Sequence, residues 1–188
     1  LACLAQDAAY GDPMALATAL ATAMNQELRA LQAAGATFLQ VDEPSLLERA
    51  DDFPLFTRVW EVLGRGIGAT LALHLEGGNL ARIYPGVTRL KRLGCLSLDL
   101  VRDPAALDLL RTAPPPETLR IGLGVIDGRT GRVETVEEIL ARAGEGRGLP
   151  PPDRLLLGTA SDLCRLDGHV ARAKLETLAK AARRLEQS

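Results

Sequence analysis

Two kinds of segment alternate along the chain, and their hydrophobic patterns differ. Short, nearly continuous apolar runs are separated by longer stretches that mix Ala and Leu with charged residues. Nearly continuous apolar runs are typical of strands in a parallel sheet covered by helices. The pattern predicts strands over residues 36–44, 68–75, 95–101, 118–127 and 153–161. It predicts helices over residues 12–34, 51–65, 84–94, 103–113, 134–145 and 168–187.

Capping signals support several of these helix ends. Asp12-Pro13 combines a favourable N-cap with proline at the first helical position, and Gly35 follows the end of the same helix. Asp103-Pro104 repeats this opening. The helix from residue 134 begins with an acidic turn, as the helix dipole favours.

Five strand–helix alternations fit either a doubly wound sheet or part of a (β/α)₈ barrel. The polar residues distinguish these two folds. Each predicted strand ends in polar side chains, which are Asp42-Glu43, His74-Glu76, Asp99-Arg102, Asp127-Arg129 and Ser161-Asp162. A barrel collects its chemistry from the ends of many strands, whereas an open sheet concentrates it near one switch point. The sequence therefore predicts an α/β fold of the (β/α)₈ TIM-barrel type.

A complete barrel has eight strands and about 250 residues, whereas this chain has 188 residues and five predicted strands. We therefore expect residues 1–188 to form a single domain that holds the last five strand–helix units of a barrel. The first three strands would lie in a segment that precedes Leu1. A partial barrel exposes two sheet edges, which promote aggregation. We expect an N-terminal barrel segment or an oligomer partner to cover them.

Composition excludes several classes of function. Apolar residues make up 47% of the chain, charged residues 24%, and the net charge is −2. There is no basic stripe interleaved with aromatic residues, so nucleic-acid binding is not expected. No apolar run approaches the 18 residues of a membrane span. Three widely spaced cysteines, Cys3, Cys95 and Cys164, argue against a disulfide scaffold and favour the cytoplasm.

The stretch ATLALHLEGGNL at residues 69–80 carries the first candidate chemistry, His74 and Glu76. Residues two apart in an extended strand point to the same side, so these two side chains face one cavity. Such a pair is suited to holding a metal ion, to acid–base chemistry, or simply to a hydrogen-bonded strand end. The two residues alone leave these three interpretations open.

Five stretches, taken in order, resemble cobalamin-independent methionine synthases, especially the C-terminal catalytic barrel and the short single-barrel members. The strand GATFLQVDEPSL resembles the family's Gln-Ile/Val-Asp-Glu-Pro-Ala-Leu, and LHLEGGN resembles its His-x-Cys-x-Gly-Asn turn. LSLDLVR resembles Ile-Ser-Ile-Glu-x-x-Arg, and LGVIDGRTGRVETVEEILAR resembles Leu-Gly-Val-x-Asp followed by a Glu-rich helix. The segment from Ser161 through HVARAKLETLAKAA resembles the family's final turn and helix.

This resemblance implies a zinc site with altered ligands. In the family one His, two Cys and often a Glu hold zinc, which binds and ionises the homocysteine thiol. Here His74 is retained, whereas Glu76, Asp99 and Ser161 stand where the family has Cys, Glu and Cys. Cys164 is a candidate substitute for the last ligand. An oxygen-rich set suits harder metals better than zinc bound to thiolates, so the resemblance predicts weak zinc binding or none.

The resemblance also implies a substrate site. Asp42 matches the family carboxylate that holds the amino group of the substrate, and its neighbour Glu43 is predicted to bind substrate as well. Simpler roles compete with these assignments. Asp42 would serve equally as a cap for the following turn, Asp99 and Arg102 as a rim ion pair, and Asp127 as an organiser of its loop.

Three functions from different classes agree with these residues. The first is a methionine synthase-like S-methyltransferase that transfers a methyl group from 5-methyltetrahydrofolate or another donor to homocysteine, with an altered metal site. The second is a degenerate, non-catalytic barrel that binds a homocysteine-like thiol or an amino acid. The third is a hydrolase or lyase that uses a hard metal, or Glu76 as a general base.

Overall fold

The computed structural model describes residues 7–187, so Leu1 and Cys3 lie outside the described residues. The described chain contains five strands, which are β1 (Phe38–Glu43), β2 (Thr70–Leu75), β3 (Leu93–Asp99), β4 (Arg120–Ile126) and β5 (Leu155–Thr159). Five α-helices surround them, namely α1 (Pro13–Ala33), α2 (Phe53–Leu63), α3 (Ala106–Thr112), α4 (Val136–Arg142) and α5 (Gly168–Glu186). All five predicted strands are therefore present.

The strands form one parallel sheet in the order β1-β2-β3-β4-β5. Neighbours in the sequence are neighbours in the sheet, as in a barrel, whereas a doubly wound sheet reverses its order at a switch point. One register row crosses every strand and consists of Asp42, His74, Ser97, Gly122 and Leu156. These five residues share the face of the sheet that does not carry the helices.

The sheet is strongly curved. The His74 ring, on β2, lies 3.3 Å from the carbonyl oxygen of Ala160, directly after β5. Three strand spacings separate β2 from β5, about 14 Å in a flat sheet, which is more than an imidazole side chain spans. The sheet must therefore curl around the face that carries His74, as part of a barrel wall does.

The hydrophobic core lies between the convex face of the sheet and the helices. In β1, Leu39 and Val41 are buried in this core, whereas Phe38, Gln40 and Asp42 on the concave face are exposed. Trp60 of α2 is fully buried and donates its indole N–H to the carbonyl of Lys91 at 3.0 Å. The side chains on the concave face of β1 are exposed because β1 lies at the edge of the sheet.

Two predicted helix features differ from the structure. Residues 84–94, predicted as a helix, contain only the short 3₁₀ turn Gly86–Arg89 before β3 begins at Leu93. Asp103 does not cap α3, because its carboxylate accepts the Leu80 N–H at 3.1 Å and the helix begins only at Ala106. By contrast, Asp12 caps α1 as predicted and accepts the N–H of Met14.

Candidate functional site at the strand ends

The C-terminal ends of the five strands meet at one edge of the sheet, as the sequence predicted. The register places Asp42 beside His74 and His74 beside Ser97, all on the concave face. This edge is the candidate site. The hydrogen bonds made by each polar side chain decide which of them is available to a ligand.

Asp42 and Glu43 differ in availability. Asp42 is exposed and accepts a hydrogen bond from the side-chain amide of Gln40 at 2.7 Å. Glu43 instead accepts both the N–H of Ser45 at 3.0 Å and its hydroxyl at 2.5 Å. Glu43 therefore holds the turn after β1, the role considered for Asp42, and Asp42 keeps carboxylate capacity for a ligand.

His74 is buried and has both ring nitrogens engaged. Nε2 faces the Ala160 carbonyl at 3.3 Å, and Nδ1 lies 2.9 Å from the Ser97 hydroxyl. A carbonyl only accepts, so Nε2 donates to Ala160, while Nδ1 pairs with the Ser97 hydroxyl. The imidazole thereby connects β2 with β3 and with the end of β5.

Asp99 is fully buried and saturated with donors. Its Oδ1 accepts the N–H groups of Val101 and Arg102, each at 3.0 Å, and its Oδ2 accepts the N–H of Gly77 at 3.2 Å. The Arg129 guanidinium completes the set, with Nη1 at 2.9 Å from Oδ2 and Nη2 at 3.4 Å from Oδ1. The predicted ion pair with Arg102 is wrong, because Arg102 contributes its backbone N–H and the cation comes from Arg129.

Arg129 also binds Asp127, so one guanidinium serves two carboxylates. Its Nε donates to Asp127 Oδ1 at 2.8 Å, and the same oxygen accepts the Arg129 N–H. Burial acts to raise the pKa of Asp127, but the hydrogen bonds and charge of Arg129 outweigh it and lower that pKa. Burial likewise acts to lower the pKa of Arg129, and bonding to Asp99 and Asp127 raises it overall. Both groups are therefore charged at neutral pH.

The other predicted metal ligands, Glu76, Cys164 and Ser161, differ in burial and in chemistry. Glu76 is only partly buried, and Cys164 is exposed. A hydrogen bond to Asp162 raises the pKa of the Cys164 thiol, which disfavours the thiolate that zinc requires. Within residues 7–187, the Ser161 hydroxyl is buried without a hydrogen-bond partner. A neutral hydroxyl is a poor zinc ligand.

The predicted zinc site does not fit these residues. Over residues 7–187 no group of three or more His, Cys, Asp or Glu side chains is placed to hold a metal ion. His74 has no free ring nitrogen, and Asp99 already carries the charge of Arg129. The resemblance assigned these two residues to zinc, but the hydrogen bonds they make within the chain leave neither with a free lone pair toward a metal.

Sequence reasoning missed a buried ion pair behind the site. Lys174 of α5 donates to Glu134 at 2.9 Å and to the Arg132 carbonyl, and both charged side chains are almost completely buried. The other Glu134 oxygen accepts the Asp127 N–H at 2.9 Å. A signal existed in the sequence, because Lys174 is four residues from both Val170 and Leu178 on the apolar stripe of its helix.

An apolar cleft adjoins the candidate site between α1, β1 and α2. Its volume is about 160 Å³, and Asp42 and Glu43 line it together with Met24, Phe56 and Trp60. An apolar cavity of similar size accommodates benzene. The cleft lies on the helix-covered side of β1, which Val41 and Glu43 face, whereas the Asp42 side chain lies on the concave face. In residues 7–187, no helix combines the length and apolar character needed to cross a membrane.

Several known proteins are similar to this chain in sequence, and their names agree with one another. A family model described as "Cobalamin-independent synthase, N-terminal domain" matches residues 2–143. The methionine synthase of Pyrococcus abyssi is 30% identical over 178 residues, which are 93% of this chain and 51% of that protein. The 5-methyltetrahydropteroyltriglutamate–homocysteine methyltransferase of Caulobacter vibrioides is 35% identical over 171 residues, 85% of this chain and 22% of that protein. The chain thus spans about half the length of the first relative and less of the second.

Solved structures agree on the fold. The B12-independent methionine synthase from Shewanella sp. W3-18-1, solved in complex with selenomethionine, has a TM-score of 0.82 and 23% identity, over 96% of this chain and 57% of that chain. The putative vitamin-B12 independent methionine synthase of Listeria monocytogenes has a TM-score of 0.59 and 21% identity, over 92% and 54%. The five parallel strands are therefore part of a TIM-type barrel, as predicted.

Proposed function

The chain belongs to the cobalamin-independent methionine synthase family, and on that premise we propose that it is the amino-acid-binding part of a methionine synthase-type barrel. Its ligand in this proposal is homocysteine or a similar small amino acid with a thiol or thioether side chain. Asp42 binds the ammonium group on the concave side of the strand ends.

The observation that carries this proposal is the contrast between Asp42 and its neighbours. Asp42 is exposed at the strand ends and its Oδ1 accepts one hydrogen bond, from Gln40, whereas Oε1 of the half-buried Glu43 accepts two from Ser45 and both oxygens of Asp99 are engaged. An available carboxylate at the exposed end of β1 matches a ligand with an ammonium group.

Methyl transfer to homocysteine is the second candidate function, and the names of the relatives favour it. In this form of the proposal the thiol is not activated by zinc on His74, Glu76, Asp99 and Ser161, because these residues do not form a ligand set. The methyl donor would bind elsewhere in the completed barrel. A hard-metal hydrolase or lyase has less support, since no cluster of acidic and imidazole ligands is present in residues 7–187.

Within the family, the matched model is that of the N-terminal domain, whereas the motifs resembled the C-terminal catalytic barrel. Assignment of the chain to the C-terminal barrel stays a prediction. An N-terminal-domain match and a ligand set lacking thiolates both favour the binding function over the catalytic one.

The proposed partner is the remainder of the barrel. The chain spans 51% of the Pyrococcus abyssi relative and 57% of the Shewanella chain, and β1 and β5 each have one unpaired edge in the described sheet. Three further strand–helix units would complete eight. We expect a covalently linked segment or another chain to supply them.

The test is calorimetric titration of the protein with homocysteine and with methionine. Asp42→Asn keeps the shape and removes the charge, so we expect affinity to fall roughly 10-fold to 100-fold, the cost of a charge-assisted hydrogen bond. Glu43→Gln is the matched control, because Glu43 faces the Ser45 turn, and it should leave the affinity nearly unchanged. Equal affinity of the wild type and Asp42→Asn would contradict the proposed role of Asp42.

A further inference from the structure

Two carboxylates from neighbouring strand ends share one cation in this structure. Asp99 ends β3 and Asp127 follows β4, and Arg129 contacts both, at 2.9 Å and 2.8 Å. The Asp99 side chain has no solvent exposure, and that of Arg129 is 26% exposed. A carboxylate removed from water requires a positive partner, which proteins supply as a basic side chain or a metal ion.

The guanidinium and a metal ion exclude each other at Asp99. Each Asp99 oxygen already accepts two or more hydrogen bonds, from Gly77, Val101, Arg102 and Arg129. The planar fork of arginine matches the two oxygens of a carboxylate, which a single lysine ammonium cannot do. A divalent cation would reach these oxygens only if the guanidinium left.

The loop that delivers Arg129 is fixed at its other end. Glu134 receives the Lys174 ammonium at 2.9 Å, and both side chains are at most 2% exposed. The second oxygen of Glu134 accepts the Asp127 N–H, next to the Arg129 contact. Residues 127–134 are therefore attached to the strand ends by Arg129 and to α5 by Glu134, which holds the guanidinium in place.

We propose that Arg129 is a resident cation that takes the place of a metal ion at the ends of β3 and β4. It pairs with both Asp99 and Asp127, cross-links the two strand ends, and makes this edge of the barrel independent of metal. Removal of its charge creates a hard-cation site, because Mg²⁺ and Mn²⁺ bind through one or two carboxylates together with water. Metal binding at Asp99 does not depend on ligand binding by Asp42, so its test is separate from that of the proposed function.

The experiment is thermal unfolding of the wild type, Arg129→Met, Arg129→Lys and Arg132→Met, each with EDTA, Zn²⁺, Mg²⁺ or Mn²⁺. Arg132 pairs with Glu138 at 2.8 Å in an exposed position and provides the matched control. We expect the wild type and the control to be insensitive to chelator and metal. Arg129→Met should unfold roughly 5–10 °C lower than the wild type in EDTA. Roughly 10 mM Mg²⁺ or Mn²⁺ should recover part of this loss.

Arg129→Lys should have an intermediate Tm and no response to metal, because it keeps the charge but loses the fork. This variant and the chelator series on the wild type decide the question if Arg129→Met does not fold. Three results would overturn the proposal. These are a wild-type Tm that EDTA lowers and Zn²⁺ restores, an Arg129→Met variant as stable as Arg132→Met, and an Arg129→Met variant that no divalent cation stabilises.

Discussion

At the scale of single residues, hydrogen-bond capacity determines which side chains of the strand ends are open to a ligand. His74 uses both ring nitrogens within the protein, and Asp99 accepts from backbone and guanidinium donors. Asp42 lies in the same register row as His74 but keeps most of its acceptor capacity. The chemical type of a residue is thus a weaker guide to function than the number of hydrogen bonds that its side chain already makes.

The Asp127–Arg129 contact predicts an acid-dependent loss of stability. The pKa of Asp127 is below its usual value of 3.8 in the folded protein, so its contribution is complete above that value. It is lost as the pH falls through the lower folded-state pKa. We expect the difference in Tm between the wild type and Asp127→Asn to be constant from pH 7 to about pH 5 and to shrink below pH 4. Calorimetry across this range measures it, and a difference that grows on acidification would contradict the expectation.

The buried pair of Lys174 and Glu134 predicts an asymmetric mutational response. Lys174→Met leaves the Glu134 charge buried without its partner, which should cost about 3–5 kcal/mol in the free energy of unfolding. Lys91→Met, which breaks the exposed pair with Glu61, should cost less than about 1 kcal/mol. Urea titration of both variants provides the comparison. Equal losses would show that burial of the Lys174 pair does not control its energetics.

At the scale of elements, the turn after β2 sets the path of the chain into β3. Gly77 and Gly78 have φ values of +58° and +66°, a region that favours glycine, and Asn79 caps the next turn by accepting the Ala81 N–H. The chain then passes through the 3₁₀ turns Leu80–Arg82 and Gly86–Arg89 and enters β3 without an α-helix. The glycines of this turn therefore serve the backbone path and the packing against the preceding loop.

Gly78→Ala should strongly destabilise the fold. A Cβ atom at this position would lie 2.2 Å from Leu47 Cβ and 3.0 Å from its carbonyl carbon, in addition to the cost of the positive φ. We expect a loss of roughly 2–4 kcal/mol in the free energy of unfolding.

Gly77→Ala is the matched control for Gly78→Ala. It has a similar φ but meets only the flexible Arg102 side chain, at 3.3 Å. It should cost roughly 1–2 kcal/mol, which is the backbone term alone. Chemical denaturation separates the two contributions, and equal losses would exclude the contact with Leu47 as a cause.

At the scale of the whole molecule, the described sheet is a curved wall with two edges. β1 and β5 each have one neighbour, and Phe38 and Leu156 on the concave face are 40% and 38% exposed. Unpaired parallel edges and exposed apolar side chains favour association with more strands. Five strands of an eight-stranded barrel leave a gap of three units, which a second copy of five does not match.

We expect the isolated 188-residue chain to self-associate through its unpaired edges and exposed apolar side chains, without closing a barrel. Light scattering coupled to size-exclusion chromatography should give a mass above that of one chain. Phe38→Lys with Leu156→Lys should shift the population toward the monomer, because charges on an exposed sheet face oppose association. Leu175→Lys, on the exposed side of α5, is the control and should have no such effect. A monomeric wild type would contradict the expectation that the sheet edges require a partner.

Much of the fold followed from local pattern. Continuous apolar runs located all five strands, and the polar residues after them identified the edge that carries the candidate site, because carboxyl ends of parallel strands must meet at one edge. The helix predicted over residues 84–94 was wrong. The residue composition of this segment is typical of a helix. Pro85, Gly86 and the early start of β3, however, leave space only for a 3₁₀ turn.

The sequence by itself determined the barrel class, the strand ends as the location of polar chemistry and the resemblance that identified the family. Only the tertiary structure decided how those polar groups are used. Asp99 receives its cation from a residue 30 positions away, and His74 faces a carbonyl 86 positions away. Local pattern fixes secondary structure because its hydrogen bonds and side-chain spacing are short-range. The partner of a buried charge depends on the curvature of the sheet and the path of its loops, which no short stretch of sequence specifies.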